Sequence, residues 1–374
     1  MRSSGFRALC IFLSAVSGVS GLSAMGAREQ SPAAEDAFVV TDMRGRAVTI
    51  PGRVDAIIAL GAGSLRLASY LDAVDMVVAV EDQGHGREKT VHDFFHLATY
   101  RMARPELRRL PSIGGEANHE GIIAAAPDIV ISSTVDVAQL DQLQAVLGIP
   151  VFAIDADVEL TDEARFYLQL RTLGAVLGRE ERAEILIAGI DAVMKDLAAR
   201  AARTTEQKRA YAGGMMFFGP ADILRTTGDY LPFDRAGAKN VMPTNPAGNR
   251  QPYMTSVEDV AAAAPDYAFI DAANINLSRS GFMTNRKVLE EQVPAFRNRE
   301  VYSSLVYKYY GTNWENQVIN AYFVGGVLYP DAYKDVSFTR KAEEIWKLFF
   351  AVPLDYQSVT DFQRTGPGRV DWFD

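Results

Sequence analysis

Hydrophobic positions at Leu186, Ile190, Val193, Leu197 and Ala201 recur every three or four residues, the period of one face of an α-helix. Glu180, Glu181 and Glu184 stand in the first turns of this stretch, and Lys195, Arg200 and Arg203 near its end, the order that the helix dipole favours. Gly178 closes the preceding helix and Thr204-Thr205 ends this one. At 1.5 Å per residue, a helix over 179–202 is roughly 35 Å long, the width of a small domain. Two similar stretches flank it, residues 120–131 and 258–270. Each sets a Glu (Glu120, Glu258) seven residues ahead of Pro-Asp (Pro127-Asp128, Pro265-Asp266), with an Ala-rich helical turn between and an apolar run after. Proline breaks the helix, and an unbroken apolar run reads as a strand buried on both faces. Two such units about one long helix predict two similar lobes.

The rest of the chain fits that plan. Residues 38–42 and 46–50 read as two strands joined by a turn at Met43-Arg44-Gly45, closed by Pro51-Gly52. A strand over 56–60, a tight turn at Gly61-Ala62-Gly63-Ser64, a helix over 65–71 and a strand over 76–80 follow. Residues 81–115 break the rhythm. Strands at 129–132 and 151–154 then bracket a helix at 137–147, and 161–177 is a helix with Thr161 as its N-cap. After the long helix come strands at 211–218 and 240–242, with a turn and helix over 223–237 between them. A polar loop at 243–253 leads to the second repeat and its strand, 267–270. A loop at 271–281, a short helix at 287–292, a strand at 301–306, a polar-aromatic loop at 307–316 and helices at 318–328 and 339–350 complete the chain. Strands alternating with helices make an α/β protein: two Rossmann-like lobes with mainly parallel sheets, bridged by one long α-helix. The boundaries are 38–160 for the first lobe, 161–203 for the helical linker and 209–374 for the second lobe. Ligands in such sheets bind at the carboxyl ends of strands, here 61–64, 81–85 and 132–135.

Length and composition refine this picture. The 374 residues suffice for one large or two medium domains. A formal charge of −9 argues against a nucleic-acid-binding surface. Arg2 and Arg7, an apolar stretch over 8–19 and small residues over 20–27 make residues 1–26 a secretory signal peptide. Cleavage falls between Ala24 and Ala34. Removing residues 1–26 takes away two arginines and no acid, so the charge becomes −11. Cys10 lies within the apolar stretch, and Arg7-Ala8-Leu9 is a poor lead-in for lipid attachment. The mature chain therefore has no cysteine, no disulfide and no thiolate site. No later apolar run is long enough to cross a bilayer.

Several stretches carry a family resemblance. They are Asp42-Met43-Arg44-Gly45-Arg46-Ala47-Val48-Thr49-Ile50-Pro51; residues 59–67 around Gly61-Ala62-Gly63-Ser64; residues 78–82; residues 173–184; and Tyr309-Tyr310-Gly311-Thr312-Asn313-Trp314-Glu315. In this order, with both repeats, and over roughly residues 38 to 360, the chain resembles the substrate-binding proteins of bacterial ABC importers of the iron–siderophore, haem and cobalamin class. The resemblance implies two α/β lobes bridged by a long helix, with ligand in the cleft between them. It implies a periplasmic, monomeric receptor with no prosthetic group, no nucleic-acid partner and no catalysis, whose ligand is a metal chelate and whose partner is an ABC permease dimer. It also implies that one Glu on the outer rim of each lobe pairs with Arg on the permease. The matching positions are Glu120 and Glu258, where a helix-start Glu serves the local dipole as well.

Candidate ligand-binding residues follow from chemistry. Tyr307-Lys308-Tyr309-Tyr310 and Trp314 offer rings on which a flat chelate stacks, and Arg66, Arg101, Arg225 and Lys308 offer cations for its carboxylates. Ser64 and Glu81 stand at strand ends. Against this, tyrosines after a strand also pack lobe interfaces. His85, His92 and His96 cluster with Glu81, Asp82 and Asp93, and His92 and His96 share a helix face if helical. A receptor for bare zinc or manganese would draw on them, yet it needs ligands from both lobes, and the second half holds no histidine. An exported α/β enzyme is the remaining alternative. Ser64 lacks the Gly two residues on that a nucleophile elbow needs, and Gly61-x-Gly63 lacks the third Gly of a dinucleotide fingerprint.

Overall fold

The computed structural model describes residues 37–81, 98–156, 162–217, 219 and 221–373. The signal peptide expected at 1–26 and the histidines His85, His92 and His96 lie outside the described residues. The first strands, β1 (Phe38–Thr41) and β2 (Ala47–Ile50), form an antiparallel hairpin in which Phe38 faces Ile50 and Thr41 faces Ala47. Arg46 binds this hairpin to the first lobe. Its Nη1 donates to Asp42 Oδ2 at 3.0 Å and to the Val151 carbonyl at 3.1 Å, and its Nε donates to Asp141 at 2.8 Å.

The first lobe is built on β3 (Ile57–Leu60), β4 (Val77–Val80), β5 (Ile129–Ser132) and β6 (Val151–Ala153), all parallel, in the order β4-β3-β5-β6. Every residue of β3 and β5 is buried, so these strands read as apolar runs without alternation. The second lobe contains β7 (Arg209–Gly213), β8 (Arg225–Thr226), β9 (Lys239–Asn240), β10 (Tyr253–Met254), β11 (Tyr267–Asp271), β12 (Val301–Ser304) and β13 (Gly368–Arg369). Five of these make a sheet in the order β13-β12-β11-β7-β9, parallel except for the C-terminal edge strand β13. The antiparallel pair β8–β10 flanks the loop at 243–252.

The repeats occupy equivalent places. Helices His119–Ala124 and Val257–Ala263 are capped by Asn118 and by a reciprocal Ser256–Asp259 box, which satisfy orphan N–H groups of the first turn. Each helix is followed by an alanine in the left-handed region, Ala126 (φ 50°) and Ala264 (φ 43°). Pro-Asp and a central strand come next, β5 in one sheet and β11 in the other.

The long helix is Glu180–Ala201. Its buried stripe is Leu186, Ile187, Ile190, Met194 and Leu197, with Val193 and Ala201 only half-buried. The stripe is thus rotated slightly from the one the sequence suggests. At the start, Arg179 reaches Asp75 at 2.8 Å and Arg182 Nε donates to the Tyr70 carbonyl at 2.9 Å, both in the first lobe. At the end, Arg200 grips Asp335 through both Nη atoms, at 2.7 and 2.9 Å, on the second.

Some elements differ from expectation. Residues 271–281 are not a loop: after a short turn at Ala272–Asn274, the helix Ile275–Gln292 runs for 18 residues. Its buried face includes Ser278, Gly281, Phe282 and Leu289. Small residues stand where large apolar ones would have shown the period, because Gly281 lies against Asp222 with no room for a Cβ. The helix before the bridge is Glu163–Val176, and its N-cap is Asp162, which accepts from Arg165 N at 3.2 Å. The closing helices Trp314–Leu328 and Phe338–Phe350 do more than complete the second lobe. Trp314 and Phe349 pack edge-on to Tyr70 of the first lobe, with centroids at 5.9 and 5.0 Å, so one continuous core runs through both lobes.

Candidate functional site

The carboxyl ends of the parallel strands in the two lobes meet across a cleft. From the second lobe, the turn after β12 crosses it and touches the first. Gly311 has φ 89°, and a Cβ there would stand 2.9 Å from Gly63 N and 3.0 Å from Gly63 Cα. Only glycine permits both this conformation and this approach. Arg66, wholly buried, fixes the contact from below. Its Nη1 donates to the carbonyls of Thr312 (2.7 Å) and Tyr310 (3.4 Å), and its Nη2 to the Tyr309 carbonyl (3.0 Å) and Asn313 Oδ1 (2.6 Å). The guanidinium lies 5.0 Å over the Tyr100 ring.

On one side of this crossing lies a cavity of about 390 Å³. The first lobe and the linker supply Asp155, Asp162 and Arg165. The second lobe supplies Phe217, Tyr307 and Lys308, and Asn249, Arg250, Gln251 and Pro252 from the loop before β10. Three cations against two carboxylates give the lining a net positive charge. Arg165 is held by Asp155 at 2.7 Å, Arg250 lies 3.5 Å from Asp229, and Lys308 sits 6.0 Å over the Phe217 ring.

On the other side, Tyr310 donates through its hydroxyl to Glu81 Oε2 at 2.8 Å, and Glu81 also accepts from Gly61 N at 2.9 Å. Burial and the nearby carboxylate push the Tyr310 phenol far up. A Cβ on Gly61, which has φ 77°, would strike Ser133 Oγ, so this turn is fitted closely to the strand end beside it. Tyr309 is half-buried near Arg101; burial raises its phenol, and Arg101 opposes that rise. Arg101 itself is buried and donates to Tyr100 Oη at 2.9 Å.

The structure thus separates the residues that the sequence groups together. Lys308 lines the cavity, while Glu81, Arg101, Tyr309 and Tyr310 are not among its lining residues. Four of the expected ligand-binding residues are engaged within the fold. Trp314 is fully buried between Tyr70 and Phe166 and offers no ring face to the cleft. The Nη atoms of Arg66 bind carbonyls of the crossing turn and the Asn313 side chain. Ser64 is buried, with its Oγ donating to the Leu60 carbonyl at 2.6 Å. Arg225 also acts on backbone, since its Nη1 donates to the carbonyls of Phe217 (2.8 Å) and Gly219 (3.1 Å). The sequence reading missed Asp155, Arg165, Phe217 and Arg250. Asp155 and Phe217 follow strands and could have been found by extending the strand-end rule to β6 and β7, and Arg250 by treating the polar loop at 243–253 as part of the cleft. Arg165, inside a helix, gave no signal.

Glu120 and Glu258 are both exposed, and each is the second residue of its helix. Among the described residues, no three His, Cys, Asp or Glu side chains come together to hold a metal ion, and no helix is long and apolar enough to cross a membrane.

The molybdate-binding protein MolA of Haemophilus influenzae is 22% identical over 343 residues, 83% of this chain and 90% of that protein. Its structure with molybdate bound aligns with a TM-score of 0.66 at 20% identity, covering 85% of this chain and 99% of that one. A periplasmic solute-binding protein from Veillonella parvula aligns with a TM-score of 0.66 at 17% identity, covering 88% and 99%. CeuE of Helicobacter pylori with Ni(II) bound aligns with a TM-score of 0.62 at 19% identity, covering 87% and 99%. These likenesses concern the fold. Residues 72–304, more than half of the chain, match the family described as periplasmic binding protein. The chain belongs to that family, the solute-binding components that deliver ligand to ABC permeases.

Proposed function

We propose that this receptor binds an anionic metal chelate in the cavity between its lobes and presents it to the permease through Glu120 and Glu258. The observation that carries this reading is the cavity itself: about 390 Å³, net positive, with Phe217 and Tyr307 beside Arg165, Arg250 and Lys308. That is the size range and the mixture of rings and few fixed charges expected of a small-molecule site. A tetrahedral oxyanion fills roughly the space of four waters, about 120 Å³, which leaves most of the cavity empty. A ligand with an organic shell fills it, stacks on the rings and meets the cations with its carboxylates or phenolates. Capture and release need no bond-making, so no turnover is expected.

The molybdate bound by the Haemophilus relative favours a second reading, an oxyanion held near the cations. Calorimetric titration of the purified chain with ferric tricatecholate, hemin, cyanocobalamin and sodium molybdate separates the two. Tight binding of ferric tricatecholate or hemin supports the anionic chelate; binding of cyanocobalamin alone, a neutral corrinoid with no carboxylate or phenolate, supports a chelate site and overturns the charge pairing. Binding of molybdate alone overturns the chelate in favour of the oxyanion. A parallel titration with zinc and manganese chloride tests the bare-ion alternative, in which binding of either ion alone would favour His85, His92 and His96. For docking, matched exposed carboxylates on two related helices suit a permease dimer that offers one Arg patch to each lobe.

A further inference from the structure

Asp271 ends β11 at the centre of the second lobe's sheet and is 1% exposed. Its side chain is spent entirely on backbone. Oδ2 accepts from Met216 N at 3.1 Å, and Oδ1 accepts from Ala273 N at 3.0 Å and Tyr307 N at 3.2 Å. These three N–H groups belong to three different turns, after β7, β11 and β12. Two of the turns carry the lobe's cavity residues: Phe217 follows Met216, and Lys308 follows Tyr307. Arg225 holds the first turn from its other side, through the carbonyls of Phe217 and Gly219. Asn274 adds a bond to the Gly214 carbonyl at 3.1 Å.

We propose that Asp271 is the proton-sensitive positioning residue of the cleft: one buried carboxylate sets the turns that present Phe217, Tyr307 and Lys308 to the cavity, and its protonation releases them. This rests on the cavity being the ligand site. A carboxylate accepts all three bonds at full strength; protonation makes one oxygen a hydroxyl, which weakens the bonds that oxygen accepts and adds a proton that needs its own acceptor among N–H donors. Burial pushes the carboxyl up to about 6, against the three N–H bonds that hold it down. The titratable neighbour is the Tyr230 phenol, itself raised by burial. Arg225 and Lys308 are the charged groups on the turns that Asp271 holds. A site that needs the ionised form therefore loses about tenfold in affinity one pH unit below that midpoint.

Two measurements test this. In nitrogen-15 spectra of the full deuterated chain between pH 7.5 and 5.0, the Met216, Ala273 and Tyr307 amides should shift with one midpoint near 6, together with the Asp271 carboxyl carbon. Asp271→Asn should flatten the amide curves, and Asp271→Glu, which keeps a carboxylate, should move the midpoint without abolishing it. Amides that stay flat in the native chain, or that titrate unchanged in Asp271→Asn, overturn the proposal. The second measurement is affinity for whichever of ferric tricatecholate, hemin, cyanocobalamin or molybdate binds in the titration above. It should fall about tenfold from pH 7.5 to 5.0 in the native chain and stay level in Asp271→Asn. Titrating amides with pH-independent affinity would remove Asp271 from ligand control and leave the cavity assignment standing. If none of the four probes binds, the cavity assignment fails while the amide titration is still judged on its own.

Discussion

Replacing Arg66 by Met keeps most of the stem and removes the guanidinium that ties the first lobe to the crossing turn. Four bonds disappear, three of them between 2.6 and 3.0 Å, two wholly buried and two part-buried. At about 1.5 kcal/mol for each of the three short bonds to a charged donor, the loss is about 4–5 kcal/mol. Part of it is returned, because Met carries no cost of burying a cation, so the expected net loss is about 3 kcal/mol. The size of the effect depends on pH through Glu315, a wholly buried carboxyl that accepts from the Tyr70 hydroxyl. Burial raises it above the usual carboxylate range, and Arg66 is the largest opposing influence. A raised carboxyl favours the neutral form in the folded state. Its contribution to stability is therefore complete below the unfolded value of about 4.3 and is lost as pH rises through the folded one. Without Arg66 the folded value climbs further, so the mutant's deficit should be smallest at pH 5 and largest at pH 8. Urea unfolding measures this through tryptophan fluorescence, since Trp314, Trp346 and Trp372 are all buried. Adding Glu315→Gln should recover part of the deficit at pH 8. A loss under about 1 kcal/mol at both pH values would show that Arg66 does not hold the lobes together.

Gly311→Ala places a Cβ against Gly63 in a left-handed turn and should cost about 2 kcal/mol or more; an unchanged thermal midpoint would mean that the lobes do not meet there. Lys308→Ala should weaken binding of the chelate identified by titration by about 1–2 kcal/mol while leaving the urea midpoint alone, and full affinity would take Lys308 out of the site. Each exposed ion pair at the permease is worth about 0–1 kcal/mol, but reversing both charges adds repulsion. Glu120→Arg with Glu258→Arg should therefore abolish uptake in cells carrying the cognate permease and leave ligand affinity near that of the native chain. Normal uptake would end the docking assignment. The stability of the native chain relative to Asp271→Asn should decline from pH 4 to pH 7 by up to about 3 kcal/mol, because the folded carboxyl at about 6 lies above its unfolded value; a flat difference would contradict the burial of that charge.

The architecture was legible because strands buried on both faces, such as β3 and β5, leave uninterrupted apolar runs, and because the two Glu…Pro-Asp units repeat in register. The helix Ile275–Gln292 was not, since Ser278 and Gly281 carry its packing with small residues that a hydrophobic pattern does not register. The candidate site was legible by loop and not by residue. Lys308, which lines the cavity, was picked out because it follows a strand, and so were Tyr309 and Tyr310, which do not line it. Arg66 and Trp314 follow the same logic in sequence, but a side chain one helical turn further on points into the core. No periodicity tells a cation that meets ligand from one that caps the carbonyls of a turn: Arg66 and Arg225 do the second, and a survey of charged residues cannot separate them from Arg165 or Arg250.

The alanines at Ala126 and Ala264 set the same bend in both lobes. Each adopts a backbone conformation that glycine enters without steric penalty and alanine enters at a cost of about 1–2 kcal/mol. The same strained residue thus marks the same junction in both lobes, where the repeat helix gives way to Pro-Asp and the central strand, and each lobe carries that cost at a matching point of its fold.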